Sequence, residues 1–230
     1  MSGDIHGGHR ARMKTRYLEQ GMDALADHEA LELLLYAAIP RADVNPLAHR
    51  LIAHFGSFAA VLDAEVHELT EVEGVGEGTA LLIRLVRDLN RRALIEKAGG
   101  SRHPVLAGAD EAGAFFLPYF YGLREERVYA AFLDDRFRLL KCRCMFEGGV
   151  NFAPMSVRKL VEAAIQEHAT NLILAHNHPA GQAIPSVEDR DTTMKLAAAL
   201  RAVQLELTDH IIVAGEEYLS MSECGYLDRK

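Results

Sequence analysis

Apolar residues recur every three or four positions through the first hundred residues, and every second position or in short runs after that. The first pattern predicts helices and the second predicts strands interleaved with helices. Residues 27–36 open on Asp27 and Glu29 and continue through Leu31, Leu33, Leu34 and Leu35, a helix with its acids at the positive end. Pro40 and Pro46 bracket a loop, and Pro46 suits the first turn of a helix carrying Leu47, Leu51 and Ile52, which Gly56 ends. Short helices are expected over 58–62 and 67–72. A glycine turn through Gly74, Gly76 and Gly78 then leads into a long helix, with Leu81, Ile83, Leu85, Val86 and Leu89 as its apolar positions. Residues 1–16 carry glycine, histidine and basic side chains without periodicity and read as a disordered arm.

Ala98 to Pro104 is small and flexible in composition and reads as a linker, placing a helical domain at 1–98 and a mixed domain at 104–230. In the second domain a helix over 110–121 precedes a strand over 127–134, with Val128, Ala130 and Phe132 on one face. A turn at Asp134-Asp135 leads to a strand holding Cys142 and Cys144, and Gly148-Gly149 opens a loop. A helix over 157–168 turns Leu160, Val161, Ala164 and Ile165 inward. A buried strand over 171–175, a helix from Ser186 to Leu200 and closing strands over 205–207, 209–213 and 218–220 complete the chain. The class is α+β, a small all-α domain followed by an α/β sandwich.

Composition narrows the classes. With 230 residues, 49% hydrophobic and 25% charged, the chain supports two cores of ordinary globular type. No apolar run approaches the roughly 18–20 residues of a membrane span, and no secretory leader pattern opens the sequence. Three cysteines, an odd number, fit a reducing cytoplasm better than a disulfide framework. The formal charge of −8 argues against a surface coated in phosphate-binding cations.

The chemistry concentrates at one place. His176 and His178 lie two residues apart at the end of the apolar run 171–175, so both project to one side. Asp189 follows eleven residues after His178, beyond a loop containing Pro179 and Pro185. Two imidazoles and a carboxylate are ligands that Zn²⁺ accepts, leaving a fourth position for water. Ser186-x-x-Asp189 also reads as a helix N-cap with an acid at the third position, and the two readings are compatible. Asn177, between the histidines, faces the other way and is expected to tie down a loop. Asp209-His210 is either a partner for a ligating histidine or a structural pair. Cys142 and Cys144 would share a strand face, as a structural pair rather than a second metal site, because the ligand set there is incomplete. The turn through Gly74, Gly76 and Gly78 suits a phosphate at a helix start. A hairpin that merely packs is the competing reading, since Glu71, Glu73 and Glu77 surround the turn and the first hundred residues carry eleven basic against fifteen acidic side chains. Arg91 and Arg92 could touch phosphate or simply complement the helix dipole.

His176-x-His178, seven residues, then Ser186-x-x-Asp189 resembles the JAMM (MPN+) metallopeptidase signature. Ala175-His-Asn-His-Pro-Ala-Gly181, Asp209-His210-Ile-Ile-Val213, Tyr218-Leu-Ser220 and Gly225-Tyr-Leu227 resemble the bacterial RadC family more closely. So do Phe146-Glu-Gly148, Asn151, Ala153, Pro154 and Arg158. The resemblance covers residues 104–227 and, as an N-terminal helix-hairpin-helix module, residues 10–95. It implies a three-layer α/β JAMM/MPN-like, cytidine-deaminase-like domain with zinc on His176, His178 and Asp189, and Ser186 as hydrogen-bond donor to an oxyanion. The peptidase pattern also has a glutamate base on an earlier strand. Counting back from Phe146-x-Gly148, the equivalent falls near Cys142 and Arg143, so the sequence departs from the pattern there, and Glu147 is the nearest candidate.

Three functions compete. The first is a zinc-dependent hydrolase of amide or isopeptide bonds acting on a polypeptide. The second is a DNA-repair-associated accessory protein that contacts DNA through the N-terminal turn. The third is a catalytically silent interaction domain.

Overall fold

A computed structural model describes residues 5–100, 103–148 and 157–227. The chain divides into two compact units, Met1–Asn90 and Arg91–Lys230.

The first unit is helical: α1 (Ile5–Gln20), α2 (Asp27–Ala38), α3 (Asn45–Phe55), α4 (Phe58–Asp63), α5 (Val66–Thr70) and the start of α6 (Glu77–Gly99). Leu31, Leu35, Leu51, Val61, Leu69 and Ile83 are fully buried in its core, each contributing about 1.5–3 kcal/mol of apolar burial. The expected disordered arm is instead helical from Ile5 onward. Its helix is anchored through side chains whose partners lie far along the chain, which local periodicity does not reveal. Met13 is buried, Arg16 pairs with Glu29 at 2.8 Å, and Arg10 donates to the carbonyls of Ile39 and Pro40. Pro46 sits in the first turn of α3, and Gly56 ends it at φ +90°.

In α6 the structure buries Thr79, Ala80, Ile83 and Arg87 and leaves Leu81, Leu85 and Leu89 at 60%, 45% and 55% exposure. The expected apolar positions therefore belong to two different stripes, and the buried one includes a charge. Arg87 is held by the carbonyl of Asp63 at 3.0 Å and by nearby Asp88 and Glu65. The helix also consumes Ala98 and Gly99 of the expected linker. Ser101 and Arg102 lie outside the described residues.

The second unit is a three-layer α/β domain. Its elements are α7 (Ala109–Phe120), β1 (Arg127–Leu133), β2 (Leu139–Glu147), α8 (Val157–Gln166), β3 (Asn171–Asn177), α9 (Val187–Ala202), β4 (Glu206–Ala214) and β5 (Glu217–Ser220). The sheet order is β2-β1-β3-β4-β5. Only β3 and β4 pair in parallel, and α9 makes the crossover between them; the other neighbours are antiparallel. Val128, Ala130, Phe132, Leu172, Leu174 and Leu207 pack against α8 and α9. Tyr129, Ala131, Leu133, Ile173, Ala175, Ile211 and Val213 pack against Phe115 and Phe116 of α7. With both faces covered, β1 and β3 are buried almost throughout, so they read as continuous apolar runs. In α8, Ile165 is exposed, and Ala163 takes the inward position with Leu160 and Ala164.

The segments expected as separate strands at 205–207 and 209–213 form one strand, β4, interrupted by a bulge. Leu172 pairs with Leu207 and Ile173 with Asp209, so Thr208 is the extra residue. The bulge reverses the alternation. Leu207 and His210, three apart, both face α9, while Asp209 faces α7 beside Ile173.

Candidate metal centre

The site lies where β3 ends. Residue 178 continues the parallel pairing, its N–H donating to the carbonyl of Val213 at 2.8 Å, and Pro179, with no N–H to give, follows at once. His176 is buried and His178 half-buried on the α9 face of the sheet. The loop then passes close to His178: the Gln182 carbonyl accepts from its Nδ1 at 3.0 Å. Gly181 comes so near that a Cβ there would lie 3.2 Å from that of His178.

Ser186 caps α9, accepting from the Asp189 N–H at 3.0 Å. The Asp189 carboxylate accepts from the Ser186 N–H at 2.7 Å. The cap and the ligand readings are thus one arrangement, because the reciprocal bonds aim the buried carboxylate at the histidines. His176 Nε2 lies 3.3 Å from Asp189 Oδ1, His178 Nε2 lies 3.4 Å from Oδ2, and the two Nε2 atoms are 2.9 Å apart. Ligand atoms about 2.0–2.1 Å from a tetrahedral zinc would be separated by about 3.3 Å; one ligand atom from each of the three residues lies within 4.8 Å of the others, so a small adjustment of the side chains would seat such an ion. Among the described residues they form the group of metal-binding type.

Electrostatics agree with this geometry. Burial alone would raise the Asp189 carboxyl, but the neighbouring His176 and His178 rings and Ser186 hold it well below the usual carboxylate range. His178 is raised, chiefly by its bond to Asp189 and against the cost of burial. The site therefore attracts positive charge.

A carboxylate that sequence reasoning missed lies beside the pair. Val128 of β1 is opposite His176, and Glu126, just before β1, lines the same cleft as His178. The negative charge of Glu126 contributes to raising His178. Glu125, Glu126, His178 and Pro179 line a cleft of about 440 Å³. Asn177 fastens this segment, accepting from the Arg127 N–H at 2.8 Å and donating to the Glu125 carbonyl at 3.1 Å. Two acids immediately before an apolar strand that pairs with the His-x-His strand are the signal that could have found it.

Glu147 ends β2, exposed, in an ion pair with Arg127 at 3.3 Å. It is next to Phe146, which packs on the α9 side, so it faces away from His176. Cys142 is half-buried, its thiol pushed up to about 12 by burial. Cys144 is exposed and donates to the Phe146 carbonyl at 3.3 Å. Of the Asp209-His210 pair, it is His210 that reaches the site, its Nε2 lying 2.7 Å from His176 Nδ1. Asp209 points to the other side and accepts from Ser220 Oγ at 2.5 Å. Arg158 pairs with Glu162, while Asn151, Ala153 and Pro154 lie outside the described residues.

In the N-terminal unit, Gly74 takes φ +96°, a conformation that favours glycine. A Cβ at Gly76 or Gly78 would meet nothing within 4 Å, so packing does not demand glycine at either position. Glu73 of the turn pairs with Arg50 at 3.2 Å.

A His-x-His strand end, an aspartate delivered by the first turn of the crossover helix and a five-stranded mixed sheet between helical layers define a JAMM-like domain carrying a His-His-Asp group. Residues 106–226 match the RadC-like JAB domain family and residues 8–81 match the UPF0758 N-terminal family. A UPF0758 protein of Geobacillus sp. (strain WCH70) is 32% identical over 217 residues, covering 94% of this chain and 95% of its own length. A UPF0758 protein of Geobacillus kaustophilus (strain HTA426) is 31% identical over the same shares. The chain belongs to the RadC-like family. No helix of the described residues is long and apolar enough to cross a membrane.

Proposed function

We propose that the chain is a zinc-dependent hydrolase of amide or isopeptide bonds in a polypeptide, with His176, His178 and Asp189 holding the ion. The observation that carries this reading is the convergence of two imidazole nitrogens and a carboxylate oxygen within 4.8 Å of one another, beside a cleft lined by a further carboxylate. A bound zinc supplies a water of pKa near 7 and polarises a substrate carbonyl.

The remaining chemistry falls to the chain. We assign the base to Glu126 rather than Glu147, because it lines the cleft with His178 and its backbone is held by the Asn177 bonds to its neighbours and by the Gly148 N–H that donates to its own carbonyl at 3.0 Å. It accepts the proton of the attacking water and returns it to the departing amine. The Ser186 hydroxyl accepts from the Asp189 N–H and bonds the Asp189 carboxylate; turned from that carboxylate, its O–H would donate to an oxyanion forming at the mouth of the site. The free cysteines, two of them exposed, suit a reducing compartment such as the cytoplasm.

Metal analysis of protein purified without chelator tests the reading. The expected result is about one zinc per chain in the wild type and none in the His176→Ala/His178→Ala double variant. Absence of metal from the wild type after incubation with zinc overturns it.

A further inference from the structure

Behind His176 runs a chain of hydrogen bonds that none of the roles above uses. His176 Nδ1 lies 2.7 Å from His210 Nε2, His210 Nδ1 lies 2.6 Å from Thr193 Oγ1, and Thr193 Oγ1 donates to the backbone carbonyl of Asp189 at 2.5 Å. All four residues are buried. The direction of every bond follows from the last. A carbonyl only accepts, so the single hydroxyl hydrogen of Thr193 goes to Asp189, and two oxygens this close would repel without it. Its oxygen must then accept from His210, which places a hydrogen on His210 Nδ1.

His210 is fully buried, its two ring nitrogens facing the Thr193 hydroxyl and the His176 ring, and burial of this kind favours the uncharged imidazole. Its Nε2 therefore carries a lone pair and accepts from a hydrogen on His176 Nδ1. That leaves the lone pair of His176 on Nε2, the atom that faces Asp189 and His178. For His178 the Gln182 carbonyl holds a hydrogen on Nδ1 in one bond, which leaves Nε2 as the nitrogen that meets the ion once its proton is displaced.

We infer that Thr193 and His210 are positioning residues: they lock His176 in the tautomer that binds metal, and they couple it to the same helical turn that delivers Asp189. The inference rests on the metal-site reading. Two of the three ligands are thereby tied to one turn of α9, His176 through His210 and Thr193 and Asp189 directly, so a displacement of that turn moves both together.

The test compares zinc affinity by chelator competition in wild type, Thr193→Val and Thr193→Ser, with ¹⁵N spectra of the histidine rings in the metal-free proteins. Valine removes the acceptor for His210 Nδ1–H and frees His210 to reverse, which would oblige His176 to accept at Nδ1. Affinity is expected to fall about 10–100-fold, the usual cost of losing an outer partner of a ligating histidine, and serine is expected to restore it. Equal affinity in wild type and Thr193→Val overturns the inference. The wild-type spectrum should show His176 protonated at Nδ1, and a bare Nδ1 overturns the inference with no variant needed. A wild type that binds no zinc yet shows Nδ1–H on His176 would sink the metal reading while leaving the tautomer lock standing.

Discussion

Replacing Asp189 by asparagine keeps size and shape but removes the charge on which the two histidines converge. The consequence for the metal-free protein can be worked out from the pair. The depressed pKa of Asp189 means its stabilisation is present above the unfolded carboxyl value of about 3.9 and is lost as pH falls through the lower folded value. The raised pKa of His178 means its share is complete below about 6.5 and is lost as pH rises through the higher folded value. The ion pair therefore works between those limits. A charge-assisted hydrogen bond contributes about 1.5–3 kcal/mol, so near pH 6 the variant should be about 3 kcal/mol less stable, counting a weakened cap on Ser186. Once pH has risen past the folded His178 value, about 1 kcal/mol of cap should remain. Urea unfolding of chelator-treated wild type and variant from pH 6 upward measures both differences. A penalty that does not change as pH rises would refute the pairing of Asp189 with a protonated histidine.

Glu126→Gln should leave zinc content unchanged and lower turnover of an isopeptide substrate by about 10²–10⁴-fold, the usual contribution of a general base, whereas Glu147→Gln should leave turnover near wild type. Gly181→Ala presses a Cβ on that of His178 at 3.2 Å; overpacking of about 1 kcal/mol should weaken zinc about fivefold in chelator competition. Zinc affinity should rise with pH through the raised His178 pKa and level off above it, because the metal displaces a proton there; titration calorimetry in buffers of different ionisation enthalpy reads that proton. Phe132→Ala empties a fully buried ring from the α9 face of the sheet and should cost about 3–5 kcal/mol in urea unfolding.

The His176, His178 and Asp189 group was legible in the sequence because all three residues lie within one strand–loop–helix passage, where spacing alone fixes which side chains can meet. Glu126 was not legible in the same way. It lies just before β1, fifty residues earlier in the chain than His176, and only the long-range pairing of β1 with β3 brings it into the cleft beside His178. Counting back from Phe146 instead led to β2, the neighbour one strand too far. The same limit explains the N-terminus: the residues that fold α1 are basic side chains and one methionine whose partners lie in or beside α2. In α6 Arg87 shares the buried stripe with Ile83 while Leu81, Leu85 and Leu89 take the open one, so hydrophobicity alone did not separate the two faces. Where both faces of a strand are covered, as in β3, an apolar run identified it correctly although no alternation remained to say which face was which.

The ambiguity of Asp209-His210 has its own cause in Thr208. Regular alternation from Leu207 would have sent Asp209 toward α9 and His210 toward α7, and the one unpaired residue exchanges them. The two halves of β4 thus keep separate registers, one answering to the core under α8 and α9 and the other to His176. Removing Thr208 would leave Leu207, Asp209 and His210 facing as they already do, on a straighter strand. The connection from α9 to His210 can therefore lose one residue, at this position, without turning the imidazole away from the metal site, a tolerance of length in a passage whose chemistry tolerates little change of side chain.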